Sequence, residues 1–130
     1  MSMNDPLSSA LSKVLNGEAR GQTRCLIFPA SRIIKEVFKV MRDHGYMGEY
    51  KEIKDSKGDV LKVNLLGTIN QCGAIKPRFS IKKDGFEKFE KRYLPAKGFG
   101  ILVVSTQEGL TTNEVCKKKS IGGRLIAYCY

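Results

Sequence analysis

Tryptophan is missing from this chain, and histidine occurs once, at His44. A single imidazole leaves little room for a histidine base working with a second catalytic group, or for the mixed His/Cys sets that hold zinc. Cysteine is present four times, at positions 25, 72, 116 and 129, but never at the CxxC spacing. Neither a metal site nor a disulfide framework is expected, and reduced, mostly buried thiols are the default. No apolar run is long enough to span a bilayer. The opening MSMNDPLSSAL lacks the basic start and apolar core of a secretory leader, so export is not expected. Acidic side chains are scarce, 13 against 23 Lys and Arg, which leaves a formal charge of +10.

That charge is unevenly placed. Residues 1–66 carry 11 basic and 8 acidic groups, whereas 67–130 carry 12 and 5. A polyanion is the natural partner of such a surface, and nucleic acid is the commonest one. Net charge alone does not choose among RNA, DNA and an anionic membrane.

The apolar spacing reads as α+β, in two small lobes. Asp5 and Pro6 start a first helix whose buried face is Leu7, Ala10, Leu11, Val14 and Leu15, and Asn16-Gly17 is expected to end it. A strand at Arg24–Phe28 follows, broken by Pro29. Ser31 then caps a second amphipathic helix that closes at His44-Gly45. Strands near Tyr46–Lys54 and Asp59–Leu66 flank Asp55-Ser56-Lys57-Gly58, which has the composition of a hairpin turn. Residues 1–66 thus predict an α-β-α-β-β lobe. Gly67 opens a change of character, and residues 67–130 predict a second lobe, mostly antiparallel β with short helices. It comprises a strand at Phe79–Ile81, a helical turn from Phe86 to Tyr93, a strand at Ile101–Ser105, and a helix capped by a Thr111/Glu114 box. Gly122-Gly123 ends that helix as a hinge, and Leu125–Tyr130 closes the lobe as a strand.

Enzyme chemistry finds no support in these residues. No G-x-S-x-G elbow surrounds Ser105, and no GK[ST] follows the glycines at 98, 100 and 109. No cofactor is expected. The more informative stretch is Gly100–Tyr130, in which an apolar strand runs into Ser105-Thr106-Gln107 and a helix ends in Lys117-Lys118-Lys119. Short hydroxyl and amide groups at a strand end suit bases and 2′-hydroxyls at the shallow edge of folded RNA, with lysines on the flanking phosphates. An ordinary polar loop beside a solvated basic helix end has the same composition. An adaptor gripping another polyanion or a protein is the competing class.

Longer stretches add a resemblance. DPLSSAL…LN, PASRII…V…M…HGY, LLGTINQCGAIKPRFSIKK, EKFEKRYLPAKGFGILVVST and IGGRLIAY together resemble the small-subunit ribosomal protein S-eight family in its archaeal and eukaryotic form. The likeness runs over essentially the whole chain, and the VVST-x-x-G…T…E…GG portion is its most specific part. It implies a non-catalytic, monomeric protein of two α+β lobes in the cytoplasmic ribosome, beside other small-subunit proteins. It implies binding to the central domain of small-subunit rRNA, at a stem distorted by an internal loop, early in platform assembly. It implies Ser105, Thr106 and Gly109 as the principal RNA-contact loop, with Gly122 and Gly123 shaping its neighbourhood and Ser31 and Arg32 as phosphate contacts in the first lobe; Gln107, Lys117, Lys118, Arg124 and Arg78 complete the candidate set by their charge and hydrogen-bonding groups. Asp5 and Pro29 match family positions as structural residues. Gln107 and Glu108 depart from the family, which has a third hydroxyl and a basic residue there.

Overall fold

A computed structural model describes residues 6–28, 31–55, 58–76, 78–96 and 98–130. The cap expected at Asp5, the break at Pro29 and the turn residues Ser56 and Lys57 lie outside them. The architecture is α+β, and the chain packs as two compact units, Met1–Gln71 and Cys72–Tyr130.

In the first unit, helices α1 (Pro6–Ala19) and α2 (Arg32–Asp43) accompany a three-stranded antiparallel sheet. Its strands are β1 (Arg24–Ile27), β2 (Tyr50–Asp55) and β3 (Gly58–Asn64), with β3 in the centre. The core takes Leu7, Leu11 and Val14 from α1, Ile34, Val37 and Phe38 from α2, and Ile27, Leu61 and Val63 from the sheet. Period-2 alternation turns Leu61 and Val63 inward and Lys62 and Asn64 outward. Strand ends shift by one or two residues from the sequence reading, β1 closing at Ile27 and β3 at Asn64, and two boundaries differ by more. The first helix runs through Gly17 to Ala19, and Gly17 is buried there because a Cβ would stand 2.9 Å from Leu65 Cδ1. The strand expected from Tyr46 begins only at Tyr50. Before it, Gly45 takes φ +80°, Tyr46 N–H bonds back to the Met41 carbonyl, and Met47 is buried. Residues 67 and 68 bond into this unit, Gly67 N–H to Glu18 Oε1 and Thr68 Oγ1 to the Gly45 carbonyl.

The second unit is a five-stranded antiparallel sheet with two short helices. Its strands are β4 (Cys72–Ala74), β5 (Ser80–Ile81), β6 (Ile101–Thr106), β7 (Gly109–Thr112) and β8 (Gly123–Cys129). Both β4 and β5 pair with one edge of β8, and β6 lies between β8 and β7. Helices α3 (Phe86–Tyr93) and α4 (Asn113–Lys119) supply core partners, so that Phe86 and Cys116 join Ile75, Ile81, Leu102, Val104 and Leu125. Tyr93 stacks on Tyr128 at 5.5 Å between ring centroids, a packing role rather than a base-stacking one.

Strands β4 and β7 are absent from the sequence reading, and the reason is the same for each. Neither has an apolar alternation of its own, and each is fixed by pairing with a strand that does. Strand β7 also moves the helix cap. Thr111 pairs with Val104 in the ladder, and Thr112 is the N-cap instead, its hydroxyl accepting from Val115 N–H at 3.5 Å. The helix ends at Ser120 in the left-handed region (φ 54°), not at the glycine pair. Next to the cap, buried Asn113 accepts the Leu102 N–H through Oδ1 at 3.1 Å. Asn113→Leu removes that acceptor and leaves a buried strand N–H unpaired. A loss of about 1–3 kcal/mol is expected, read as a lower urea midpoint with unchanged slope.

Candidate nucleic-acid interface

Strand β8 organises the site. In its ladders Arg124 is directly opposite Ser80 of β5 on one side and Ser105 of β6 on the other. Directly opposed residues share a face, with Cβ atoms about 5 Å apart. The face is the outer one: Val104, Leu125 and Ile81, which alternate with these three, are buried in the core. The result is a row of two hydroxyls flanking one guanidinium, Ser80 and Arg124 exposed and Ser105 half-buried. Ser80 is missing from the sequence-derived set. Its alternation with Phe79 and Ile81 marks an exposed strand position, but only the β5–β8 register brings it to Arg124.

One end of the row is a tight hairpin. Thr106 pairs with Gly109 across the two-residue turn Gln107-Glu108, and Gly109 takes φ +113°. Thr106 Oγ1 donates to the Gly109 carbonyl at 2.9 Å and accepts from Glu108 N–H at 3.1 Å. Its proton is therefore committed to the turn, and Thr106 acts by fixing the shape of the loop. Gln107 stands exposed at the tip of the turn.

The two glycines are not a hinge. Neither has a positive φ, and both are sites of close approach. A Cβ on Gly123 would lie 2.6 Å from the Ser105 carbonyl oxygen and 2.6 Å from Val104 Cγ1. A Cβ on Gly122 would lie 2.4 Å from the Ile81 carbonyl oxygen. Bare backbone at these positions lets β5, β6 and β8 close up, which sets the spacing of the row.

The three lysines at the end of α4 have different roles. Lys117 Nζ bonds Glu90 Oε1 of α3 at 2.8 Å, and the Glu90 side chain is only 10% exposed. Lys119 pairs with Glu108 of the turn at 2.9 Å, both ends well exposed. The glutamate that departs from the family pattern thus meets a cation within the protein. Among the described residues Lys118 alone of the three has no ion pair, which makes it the lysine most available to phosphate. Arg78 is exposed two residues before Ser80. Lys117 is a positioning residue: Lys117→Ala strands a buried carboxylate and is expected to cost about 1–3 kcal/mol of stability. The Lys117→Ala/Glu90→Leu pair should recover most of the loss in the same urea titration, because no unpaired charge remains.

Of the first-unit candidates, Arg32 is 93% exposed and pairs loosely with Glu36 at 3.3 Å. Ser31 sits at the N-cap of α2, but its hydroxyl makes no cap bond; Oγ is buried with no hydrogen-bond partner among the described residues. The residue as a whole is half-buried, and the hydroxyl itself is not at the surface. The candidates thus fall on both units, with the β5-β8-β6 row holding Ser105 and Arg124 together.

Burial, reinforced by the nearby Glu108 charge, pushes the Cys116 thiol above its ordinary pKa despite Lys119, and a protonated buried thiol is inert. Among the described residues, no three His, Cys, Asp or Glu side chains gather as a metal set. No helix among them is long and apolar enough to cross a membrane. The β5-β8-β6 face thus presents hydroxyls and an arginine, with surface lysines on the neighbouring helix.

A comparison with protein-family models agrees with that chemistry. The model described as Ribosomal protein S8 matches residues 5–130, both units together. The chain therefore belongs to the ribosomal protein S8 family, structural small-subunit ribosomal proteins, not enzymes, that bind rRNA.

Proposed function

We propose that this protein binds the central domain of small-subunit rRNA early in assembly and helps order the platform. The observation that carries the reading is the Ser80–Arg124–Ser105 row beside the stapled Thr106–Gly109 turn. Hydroxyls donate and accept, so two of them fixed on either side of a guanidinium can address 2′-hydroxyls and base edges on the minor-groove side of an irregular stem. Gln107 at the tip adds an amide that reads an adjacent base, and Lys118 and Arg78 take flanking phosphates. Gly109, Gly122 and Gly123 contribute shape and close approach rather than contacts of their own. Arg32 meets phosphate on the other unit.

The sequence resemblance supports an archaeal or eukaryotic type of protein, monomeric when free, working in the cytoplasmic ribosome among other small-subunit proteins. Chemical footprinting of small-subunit rRNA tests the reading. Protection should centre on one internally looped stem of the central domain and persist at ionic strengths that release non-specific binding. Protection spread evenly over the transcript, or absent from the central domain, would overturn it.

A further inference from the structure

The outer face of the β1-β3-β2 sheet carries an electrostatic conflict that the fold does not resolve. Lys51 of β2 lies directly opposite Lys62 of β3, and like charges in that relation destabilise a sheet. On the other side of Lys62 stands Leu26, and two residues before it on β1, on the same face, Arg24 stands opposite Asn64. Arg24, Lys51, Lys62 and Asn64 line one open depression of about 210 Å³ with Glu49 and Tyr50. Glu49 does not neutralise the group, because its carboxylate turns to Arg42 at 3.6 Å. Among the described residues no carboxylate pairs with Arg24, Lys51 or Lys62.

The same face also exposes apolar area. Leu26 is 58% exposed and Phe28, which follows it on the alternation of β1, is 47% exposed. Three cations whose one acidic neighbour, Glu49, is taken up by Arg42, on a face that also exposes an aromatic ring, match the two demands of unpaired RNA, phosphate neutralisation and a surface for a base. A protein partner would leave the opposed lysines needing carboxylates, and an ordinary solvated face gives no reason to juxtapose them.

We propose that this face is a second RNA contact, in which Arg24, Lys51 and Lys62 hold the phosphates of a looped rRNA segment and Phe28 supports one of its bases. The segment is separate from the stem assigned to the second unit, and the inference rests on that rRNA-binding reading.

The test compares the full-length chain with its Lys51→Gln/Lys62→Gln variant on two probes, the isolated central-domain stem and the complete small-subunit rRNA transcript. Stem affinity should stay within about twofold of the parent protein. Affinity for the complete transcript should fall about tenfold, with a salt slope shallower by about 1.5, the equivalent of two lost phosphate contacts on single strands. The melting temperature should not fall, since the substitution removes a like-charge pair. Unchanged transcript affinity and slope would overturn the proposal and leave the face to a protein partner or to solvent. Equal losses on stem and transcript would overturn it too, by placing these lysines on the stem. Ser105→Ala/Arg124→Ala separates the two readings. If that variant keeps its stem affinity while the lysine variant loses the transcript, the function assigned to the β8 row fails and the sheet-face contact stands.

Discussion

Gly122→Ala is expected to lower the melting temperature by about 10 °C or more, a large effect for one added methyl group. The methyl carbon would stand 2.4 Å from the Ile81 carbonyl oxygen and 3.2 Å from Lys82 Cα. Those are backbone atoms of β5 and its continuation, which cannot rotate away as a side chain can. Overpacking typically costs about 1–3 kcal/mol, and a backbone obstacle places this case at the upper end. For a domain of this size each kcal/mol corresponds to several degrees. The comparison is Gly21→Ala, where nothing lies within 4 Å and the cost is only that of a left-handed φ of +72°, about 1 kcal/mol. Thermal unfolding followed by circular dichroism ranks the two. If Gly122→Ala melts no lower than Gly21→Ala, β5 moves off β8 freely and the close approach holds nothing together.

Arg124→Ala should weaken binding to the cognate stem by about 10- to 100-fold, the range for one well-placed arginine read by a groove edge. A shape-scrambled duplex of equal length should lose no more than about threefold, the share of one screened charge. Ser80→Ala and Ser105→Ala should each cost about three- to tenfold on the cognate stem, as single hydroxyl hydrogen bonds do. The three substitutions should not add, because the hydroxyls and the guanidinium sit in one ladder row and share a partner. Fluorescence titration of both RNAs at several salt concentrations makes the comparison. Equal losses on cognate and scrambled RNA would reduce Arg124 to a non-specific cation. Strict additivity would mean that the row does not act on one RNA element.

Elements with a strong apolar rhythm could be read before any coordinates. The stripe Leu7, Leu11 and Val14 specifies α1, the stripe Ile34, Val37, Phe38 and Met41 specifies α2, and Ile101–Val104 is a strand too apolar to lie anywhere but in a core. Glycines misled the sequence reading wherever packing was the reason for them. Gly17 looked like a stop but lies inside α1 because Leu65 fills the space above it, and Gly122-Gly123 looked like a hinge but is a tight seam between strands. The lysine run at 117–119 was visible as a charge block, yet the division of labour within it depends on Glu90 and Glu108. These two carboxylates lie 27 and 11 residues from their partners and have no local signal.

By itself, then, the order of residues determined the α+β class, most helices and strands, the cationic character and the presence of a hydroxyl-bearing strand end, since each follows from short-range periodicity, turn chemistry or composition. Tertiary structure alone decided which of those residues face one another. Strand register placed Ser80 and Ser105 on either side of Arg124 and set Lys51 against Lys62. Register is a long-range property, fixed by which apolar faces can be buried together, and no window of neighbouring residues encodes it.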